Sequence, residues 1–434
     1  MSPHVLVCGI STRAAAESAA RAGYRVTAID AYADLDQHPS VRALSLPRDY
    51  GRSFTAAATA RAARGIDGDA VAYLSPFENH PSAVAALARG RRLWGNPPEV
   101  LRRVRDPIAV ATALRARGFA VPEVCLPMAA SSAIRPGVAP GPAGGRGAGV
   151  RSREGDPNPD PNPDPDPDPD PGADPDADRD RDARAWAMKP FRSGGGRRVR
   201  RWRGQRVARG CYLQQWIAGT PASVVFVAAG GAAVPLGISR QLCGDAAFGA
   251  AGHRYCGSIM AADALGGDRE LLVRACALAG AVAEEFGLAG VNGVDFIAAS
   301  GVPHAIEVNP RWTASLELVE LSFGLSVFAA HAASFEQQAL PRFDAIAALS
   351  RAGAAGKAIV FAREDVVTGD TTAWREDGAV RDVPHAGEHI AAGSPVCTVL
   401  AEDATAGGCY QALVRRAGRV YEDLSAWRRA APPS

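Results

Sequence analysis

The pattern of apolar and polar positions in the first hundred residues predicts a layered α/β domain. The runs HVLVCGI, YRVTAID and DAVAYLS are typical of buried strands. Residues 11–23 and 80–90, between them, have the apolar spacing of helices, and each stretch ends at a glycine that suits a helix C-cap. Strands that alternate with helices favour a parallel sheet covered on both faces. We therefore predict a doubly wound parallel domain over residues 1–103.

The pattern changes in the middle of the chain, where it favours antiparallel strands. The candidate strands run or alternate apolar; they are WAMKPF, YLQQWI, ASVVFVAA, AVPLGISRQL, NGVDFIA and HAIEVN. Helices are predicted at 106–118 and 269–286. These elements indicate an α+β core over residues 104–335.

The last hundred residues, 336–434, are predicted to form a small β-rich domain. A helix near 325–338 precedes it, strand-rich sequence fills 357–400, and a last helix is placed near 407–416. The predicted fold class is thus α/β and α+β. Apolar side chains make up 47% of the sequence, which is enough for several cores.

One segment, residues 131–184, is predicted to be a disordered, extended insert in the core. It turns to Gly/Pro and then to repeats of Asp-Pro, and it holds 12 acidic and 7 basic residues. Alternating proline blocks helices and sheet ladders, and like charges repel. The insert is either a tolerated expansion of a surface loop or an acidic interaction or calcium-binding tract.

Charge and cysteine content narrow the classes of partner. The net charge of +2 gives no reason to expect nucleic acid or a membrane as a partner. Eight scattered cysteines without a C-x-x-C pair fit a reducing compartment. The first residues lack the pattern of a signal peptide, and no apolar run reaches about 18 residues. We expect a cytoplasmic enzyme or binding protein with small-molecule partners.

A candidate metal site follows from the hairpin formed by NGVDFIA and HAIEVN. If its turn centres on Gly301, Asp295 lies opposite Glu307, and Asn309 shares the face of Glu307. Facing carboxylates repel unless a cation lies between them, and oxygen ligands suit Mg²⁺ better than zinc. The alternative is a pair of solvent-facing acids on an edge hairpin. A one-residue slip in register would remove the site.

A candidate phosphate site follows from Lys189 and the loop after it. A strand lysine ahead of Ser193, Gly194, Gly195 and Gly196 can place a charge on a phosphate while the loop N–H groups close over it. The segment does not match the P-loop pattern, and a glycine-rich loop tip with arginines is the alternative. Lys189 and Lys357 are the only lysines in the sequence, beside 46 arginines.

Together these two constellations resemble the ATP-grasp superfamily, in its biotin-carboxylase and purine-biosynthesis-like branch. The resemblance covers about residues 1–335 and implies a core of two α+β subdomains that binds ATP with Mg²⁺ or Mn²⁺. It implies that Lys189 and the glycine loop hold phosphates and that Asp295, Glu307 and Asn309 hold the metal. Arg311, in the Asn-Pro-Arg that follows, would face the transferred phosphate or the substrate carboxylate.

The sequence departs from the family pattern at three places. Arg102 or Arg105 stands near the usual position of an earlier phosphate-binding lysine, and we select Arg105. The hinge that usually presents an acid to the nucleotide consists here of Gln214, Gln215, Trp216 and Ile217. Gln215 could bind adenine, with Trp216 or Ile217 over its face. The ribose-binding acid expected within residues 220–223 is missing.

Further candidates lie outside these motifs. Arg240, on a core strand, is expected at the γ-phosphate, with a surface arginine as the alternative. In the N-terminal domain, Ser11 and Arg13 at a helix start and Glu78 and Asn79 in a loop are expected to bind the acceptor substrate. These four could equally be an ordinary helix cap and loop.

The implied activity is that of an ATP-dependent ligase that activates a carboxylate as an acyl phosphate and joins it to an amine. The resemblance extends to proteins associated with one-carbon coenzymes, so a coenzyme or an amino-acid-derived metabolite is a candidate product, and a homodimer is left open. Two alternatives remain: an ATP-binding protein without catalysis, and an NAD-dependent oxidoreductase that uses Gly9 and Asp30, although G-x-G-x-x-G is absent. Lys357 has no predicted function.

Overall fold

The computed structural model describes residues 2–126 and 185–430. The predicted disordered insert at 131–184 lies outside these residues.

The N-terminal part is a five-stranded parallel sheet with helices on both faces, as predicted. Its strands, in the order β3-β2-β1-β4-β5, are β1 (His4–Cys8), β2 (Arg25–Asp30), β3 (Val41–Ser45), β4 (Ala70–Tyr73) and β5 (Arg92–Trp94). Its helices are α1 (Arg13–Arg21), α2 (Leu46–Tyr50), α3 (Ala56–Ala62) and α4 (Pro81–Leu87). Helix α1 packs on one face of the sheet, and α3 and α4 pack on the other face.

Two short helices lead from this domain into a four-stranded antiparallel sheet. They are α5 (Pro98–Val104) and α6 (Pro107–Ala116), and Asp106 caps the second by accepting from two backbone N–H groups. The sheet has the order β6-β9-β7-β8, with β6 (Val124–Cys125), β7 (Trp186–Pro190), β8 (Arg200–Trp202) and β9 (Cys211–Gln215).

An eight-stranded antiparallel sheet forms the largest layer. Its strands are β10 (Thr220–Ala229), β11 (Ala232–Cys243), β12 (Tyr255–Met260), β13 (Gly290–Ala299), β14 (Val302–Asn309), β15 (Ala354–Phe361), β17 (Val380–Arg381) and β19 (Pro395–Asp403), in the order β14-β13-β10-β11-β12-β15-β19-β17. The two-residue strands β16 (Val366–Val367) and β18 (His389–Ile390) pair separately. Strands from both sides of the predicted boundary at residue 335 thus share one sheet, and the domain boundaries stay predictions.

Helix α7 (Arg269–Phe286) covers one face of this sheet and has the predicted bounds, with Gly287 at a positive φ as its C-cap. The helix expected near 325–338 is present as α9 (Val327–Glu336). A further helix, α8 (Leu316–Phe323), precedes it and ends at Gly324, which takes the left-handed conformation. The short helices α10 (Ala345–Leu349) and α11 (Thr372–Glu376) follow.

The last helix, α12 (Ala406–Ala430), is much longer than the predicted 407–416. Its buried residues Leu413, Ala417, Val420 and Leu424 recur every three or four positions, so the apolar stripe continues past Arg416. Among the described residues, no single helix has the length and apolar character to cross a membrane. Only α8 and α9 taken together meet that test, by length and composition, and they are bent by 114°.

Candidate functional site

The β13–β14 hairpin places Asp295 opposite Glu307, as predicted, but by a different route. The turn consists of the two residues Ser300 and Gly301, both at positive φ. Ala299 therefore pairs with Val302, which is one residue away from the pairing expected for a turn centred on Gly301. A bulge at Ile306 then inserts one unpaired residue and restores the pair. Without this bulge, Asp295 would face Ile306 and the two carboxylates would lie on opposite faces of the sheet.

The carboxylate of Asp295 accepts hydrogen bonds from two amide side chains. Gln241 Nε2 lies 2.9 Å from its Oδ1, and Asn309 Nδ2 lies 2.8 Å from its Oδ2. Burial, followed by the neighbouring Glu307, raises the pKa of Asp295 to about 6. Burial also opposes the charge on Glu307, but Arg105 and Lys189 hold its pKa below the ordinary value.

These donors fit a hard divalent cation by their chemistry. Two carboxylates and an amide on one face offer oxygen ligands of the kind that Mg²⁺ prefers. The amide of Asn309 presents its nitrogen to Asp295 and its oxygen to Arg311, at 3.1 Å, so it would have to turn over to ligate. In the described part of the chain, no three His, Cys, Asp or Glu side chains group as a metal site. The candidate therefore depends on the Asn309 amide.

Lys189 lies on β7, facing this acid pair from the smaller sheet. Its Nζ donates to Gln214 Oε1 at 3.1 Å and lies 4.0 Å from Glu307 Oε2, and the residue is only 7% exposed. Burial acts to lower the pKa of Lys189, but Tyr212 and Glu307 beside it keep that pKa above its usual value. Tyr212 and Glu307 thus keep the buried lysine in its charged form.

Arg105 lies at the acid pair, whereas Arg102 is exposed, so of the two candidates for the missing lysine only Arg105 reaches the site. Its Nη1 donates to Glu307 Oε1 at 2.6 Å, and its Nη2 donates to the Ser193 carbonyl and to Asn79 Oδ1, each at 3.1 Å. One guanidinium therefore joins the acid pair, the glycine loop and the N-terminal domain. Its buried position follows from the end of α5, where Arg105 is the C-cap residue.

The N-terminal domain brings Glu78 and Asn79 into contact with Arg311 and Arg105, while their binding of the acceptor substrate stays a prediction. Glu78 has a fully buried side chain, and its Oε1 lies 2.8 Å from Arg311 Nε in an ion pair without hydrogen-bond geometry. Arg311 also donates to Asn309 Oδ1 and to the Trp312 carbonyl. Both Glu78 oxygens are thus buried without a hydrogen-bond donor among the described residues, which is a costly arrangement.

The glycine loop, residues 193–196, is packed shut over the site. A Cβ on Gly196 would lie 1.8 Å from the His253 carbonyl oxygen, and Tyr255 N donates to the Gly195 carbonyl at 2.9 Å. The cavity beneath, lined by Lys189, Gln214 and Glu307 among others, has a volume of about 40 Å³. Ligand pockets are typically roughly 300–1,000 Å³, so this cavity is much smaller than a nucleotide site.

The hinge residues separate into two groups. Gln214 lines the cavity and bonds Lys189 and the Ile306 carbonyl. The next residue points to the other face of β9, because side chains alternate along a strand. Gln215 Oε1 accepts from the Glu123 backbone N–H at 3.1 Å, and neither Gln215, Trp216 nor Ile217 lines the cavity. The adenine contact predicted for Gln215 is not formed by this geometry.

The prediction for Arg240 is wrong. Its neighbour Gln241 contacts Asp295, and alternation along β11 therefore sends Arg240 to the opposite face of the large sheet. There it lines a separate groove near the start of α7 and the hairpin turn. The sequence showed a core strand but not which of its faces carries the site.

The prediction for Arg13 is also wrong. Its side chain is 1% exposed, and each of its three nitrogens forms an ion pair with a carboxylate. Nε pairs with Asp382 at 2.8 Å, Nη2 with Glu317 at 2.6 Å and Nη1 with Glu17 at 3.1 Å. Arg13 therefore ties α1 to α8 and to the C-terminal segment. Ser11, by contrast, remains half-buried at the carboxyl end of β1 and has no hydrogen bond of its side chain within residues 2–126 and 185–430.

The alternative of an NAD-dependent oxidoreductase is not supported, because the Asp30 carboxylate is occupied by hydrogen bonds within the protein. Its carboxylate accepts from the Thr12 hydroxyl at 2.6 Å and from the backbone N–H groups of Thr12, Tyr32 and Ala33, and it is 1% exposed. Such a carboxylate cannot offer itself to a ribose.

Sequence reasoning missed Gln241, which contacts Asp295, and Asn96, which anchors the loop before Arg311. Neither has a local signal, because each acts on residues far along the chain. The sequence also left Lys357 without a function, and the structure buries it on β15 with its Nζ paired to Glu317.

Comparison with known proteins shows which protein family the sequence around this site resembles. Residues 169–315 match the family of the ATP-grasp domain. The match covers about a third of the chain, and it is for this segment that the similarity to the ATP-grasp domain is shown. Its fold resembles that of pyruvate carboxylase from Rhizobium etli, at 15% identity and a TM-score of 0.64, over 95% of this chain and 37% of the other. The chain thus spans little more than a third of that enzyme's length.

Two further ATP-grasp structures match over nearly their whole length. L-amino acid ligase from Bacillus licheniformis has 15% identity and a TM-score of 0.59, over 96% of this chain and 97% of the ligase. Carboxyaminoimidazole ribonucleotide synthase from Aspergillus clavatus, complexed with ATP, has 15% identity and a TM-score of 0.62, over 96% and 99%. At such identity the likeness shows the fold alone. No curated protein sequence matches the chain.

Proposed function

We propose that this chain is an ATP-dependent ligase that activates a carboxylate as an acyl phosphate and joins it to an amine. The observation that carries the proposal is the meeting of Lys189, the glycine loop, the Asp295–Glu307 pair and Arg311 in one buried site between two sheets. The match to the ATP-grasp domain family and the likeness to an amino acid ligase support it.

The reaction has two steps. An oxygen of the substrate carboxylate attacks the γ-phosphorus of ATP, the bond to the bridging oxygen breaks, and ADP leaves. The amine nitrogen then attacks the acyl carbon, phosphate leaves with the bonding electrons, and the nitrogen loses a proton as the amide forms. Neither step needs a protein nucleophile, so positioning and charge neutralisation supply the catalysis.

Each charged side chain has a place in these steps. Lys189 and the N–H groups of the glycine loop bind the phosphates, and Arg105 helps from the opposite side. Asp295, Glu307 and Asn309 would hold Mg²⁺ or Mn²⁺, which when bound neutralises charge on the phosphates. Arg311 binds the substrate carboxylate or the phosphate in transfer.

The acceptor substrate binds at the carboxyl edge of the parallel sheet, next to these groups. Glu78 and Asn79 follow β4 and reach Arg311 and Arg105, and Ser11 follows the neighbouring strand β1. Edges of this kind are where open α/β sheets bind ligands. The buried Glu78 oxygens, which lack hydrogen-bond donors in the described residues, suit the N–H groups of an amine.

The proposal is tested by screening pairs of carboxylates and amines, amino acids included, for ADP release with Mg-ATP. We expect ADP with at least one pair, and a fall of at least about 100-fold in the Glu307→Gln variant. Glu336→Gln is the matched control, since Glu336 has the same 25% side-chain exposure and also pairs with an arginine, yet lies outside the site. Binding of Mg-ATP with no ADP from any pair would instead indicate a catalytically silent protein. Undiminished ADP release by Glu307→Gln would remove the metal assignment.

A further inference from the structure

Asn96, in the loop after β5, connects three parts of the chain through one buried amide. The residue is 1% exposed, and its Nδ2 lies 2.8 Å from Asn292 Oδ1, 3.0 Å from the Pro310 carbonyl and 3.3 Å from the Ala289 carbonyl. Its Oδ1 accepts from Ala289 N at 3.0 Å, and its own carbonyl accepts from the Tyr73 hydroxyl at 2.7 Å. Every polar atom of the side chain is therefore engaged.

Two of the partners of Asn96, Pro310 and Asn292, lead directly to the candidate site. Pro310 is the residue between Asn309 and Arg311, and the Arg311 N–H donates back to the Asn309 carbonyl at 2.9 Å across it. Asn292 is fully buried on β13, on the same strand as Asp295. Asn96 thus holds the turn that aims Arg311 and the strand that carries Asp295.

The N-terminal domain consequently holds Arg311 at two points. Glu78 pairs with the guanidinium itself, while Asn96 fixes the main chain just before it. Within the described residues the guanidinium is oriented by one carbonyl, one amide oxygen and Glu78, so its position depends on that of its backbone.

We propose that Asn96 is a positioning residue that sets Arg311 for the transfer step. The inference rests on the proposed ligase function and adds a residue to it. Removal of the amide leaves the buried Pro310 carbonyl with only the long 3.5 Å hydrogen bond from the Tyr73 hydroxyl, and the turn then moves to find a better donor. A displacement of about 1 Å can cost on the order of 100-fold in rate when it moves a group that must be aligned with the reacting atoms.

The first experiment compares Asn96→Ala with the wild type in ADP release under the acceptor pair found by screening. We expect kcat to fall at least tenfold while KM for Mg-ATP stays within about twofold, because Lys189 and the glycine loop do not contact Asn96. Thr371→Val is the control. Thr371 is equally buried, at 2% exposed, and donates one hydrogen bond to the Pro384 carbonyl far from the site. It should lower the melting temperature and leave kcat unchanged.

The second experiment separates positioning from general stability. In an Arg311→Ala background, Asn96→Ala should cost less than about twofold in kcat, because the group it positions is gone. Hydrogen exchange in residues 309–313 should quicken at least tenfold in Asn96→Ala and not in Thr371→Val. Asn96→Ser, which keeps one donor, serves if the alanine variant does not fold.

The outcomes distinguish this inference from the proposed function. If the wild type forms no ADP with any pair, the proposed function fails, and the inference fails with it. If the wild type is active but Asn96→Ala keeps its kcat, or loses it equally in the Arg311→Ala background, only the inference is overturned. Unchanged exchange at residues 309–313 overturns it as well.

Discussion

The two lysines of this chain lie in two buried clusters of charged side chains. The clusters have similar compositions but differ in how their lysine is paired. The Lys189 cluster consists of Arg105, Lys189, Arg311, Glu78, Asp295 and Glu307. The Lys357 cluster consists of Arg13, Lys357, Glu17, Asp36, Glu317 and Asp382. Both lysines are at most 7% exposed, and both face a glutamate.

In the Lys357 cluster the cations are fully used. Each nitrogen of the Arg13 guanidinium pairs with a carboxylate, and Lys357 bonds Glu317 directly. In the Lys189 cluster the lysine bonds a neutral amide and lies 4.0 Å from Glu307, and no described residue donates a hydrogen bond to Glu78. A buried lysine therefore does not by itself mark a ligand site. What distinguishes the Lys189 cluster is a buried ammonium whose hydrogen bond goes to a neutral amide rather than to a carboxylate.

The largest effect should come from one substitution made at both lysines. Lys189→Arg should lower kcat/KM for ADP release at least about 100-fold, because a planar guanidinium cannot take the place of a compact ammonium between Gln214 and a phosphate. Lys357→Arg, the matched control, should keep its activity per folded molecule and lose only stability. Steady-state kinetics on both variants checks this. Equal tolerance of both substitutions would mean that the two clusters do not differ in function.

The largest effect on stability, as distinct from activity, concerns Arg13. Arg13→Gln removes the cation shared by Glu17, Glu317 and Asp382, and loss of one partner of a buried ion pair typically costs about 3–5 kcal/mol. We expect a fall of that size in the free energy of unfolding in urea, with activity of the folded fraction retained. A variant that keeps its stability but loses activity would return Arg13 to the substrate site.

The smallest effect is a dependence of stability on pH. Burial opposes the charge on Glu317, but Arg13 and Lys357 lower its pKa below the ordinary 4.5. Because the folded state holds this proton less tightly than the unfolded state, Glu317 stabilises the fold above about pH 4.5, and that stabilisation is lost as the pH falls further. We expect a loss on the order of 2 kcal/mol between pH 5 and pH 3, measured by urea unfolding. The loss should be smaller in Glu317→Gln; an equal slope in both proteins would assign the acid sensitivity elsewhere.

Sequence reasoning found what is local and missed what depends on distant partners. The bounds of α7 follow from its apolar spacing and its C-cap glycine, and the parallel sheet follows from alternating strands and helices. The predicted pairing of Asp295 with Glu307 assumes a turn centred on Gly301, whereas the turn is centred between Ser300 and Gly301. The bulge at Ile306 compensates for this difference and brings the two acids opposite each other. No local pattern in the sequence specifies that bulge.

The errors have one physical source. Arg240 and Gln241 are adjacent on β11, and only tertiary packing decides which of them faces Asp295. Arg13 was assigned to substrate because its partners, Glu317 and Asp382, lie about 300 or more positions away along the chain. A single sequence specifies which residues carry charge, but not which charges the fold neutralises.

The measurement that tests the account most directly is the affinity for ATP, determined by calorimetry with and without Mg²⁺ in the wild type, Lys189→Arg and Lys357→Arg. The account predicts binding that requires Mg²⁺, is weakened at least tenfold by Lys189→Arg (about 1.4 kcal/mol) and is unchanged in Lys357→Arg. Equal affinity in all three proteins, or no effect of Mg²⁺, would contradict the assignment of the Lys189 cluster as the nucleotide site.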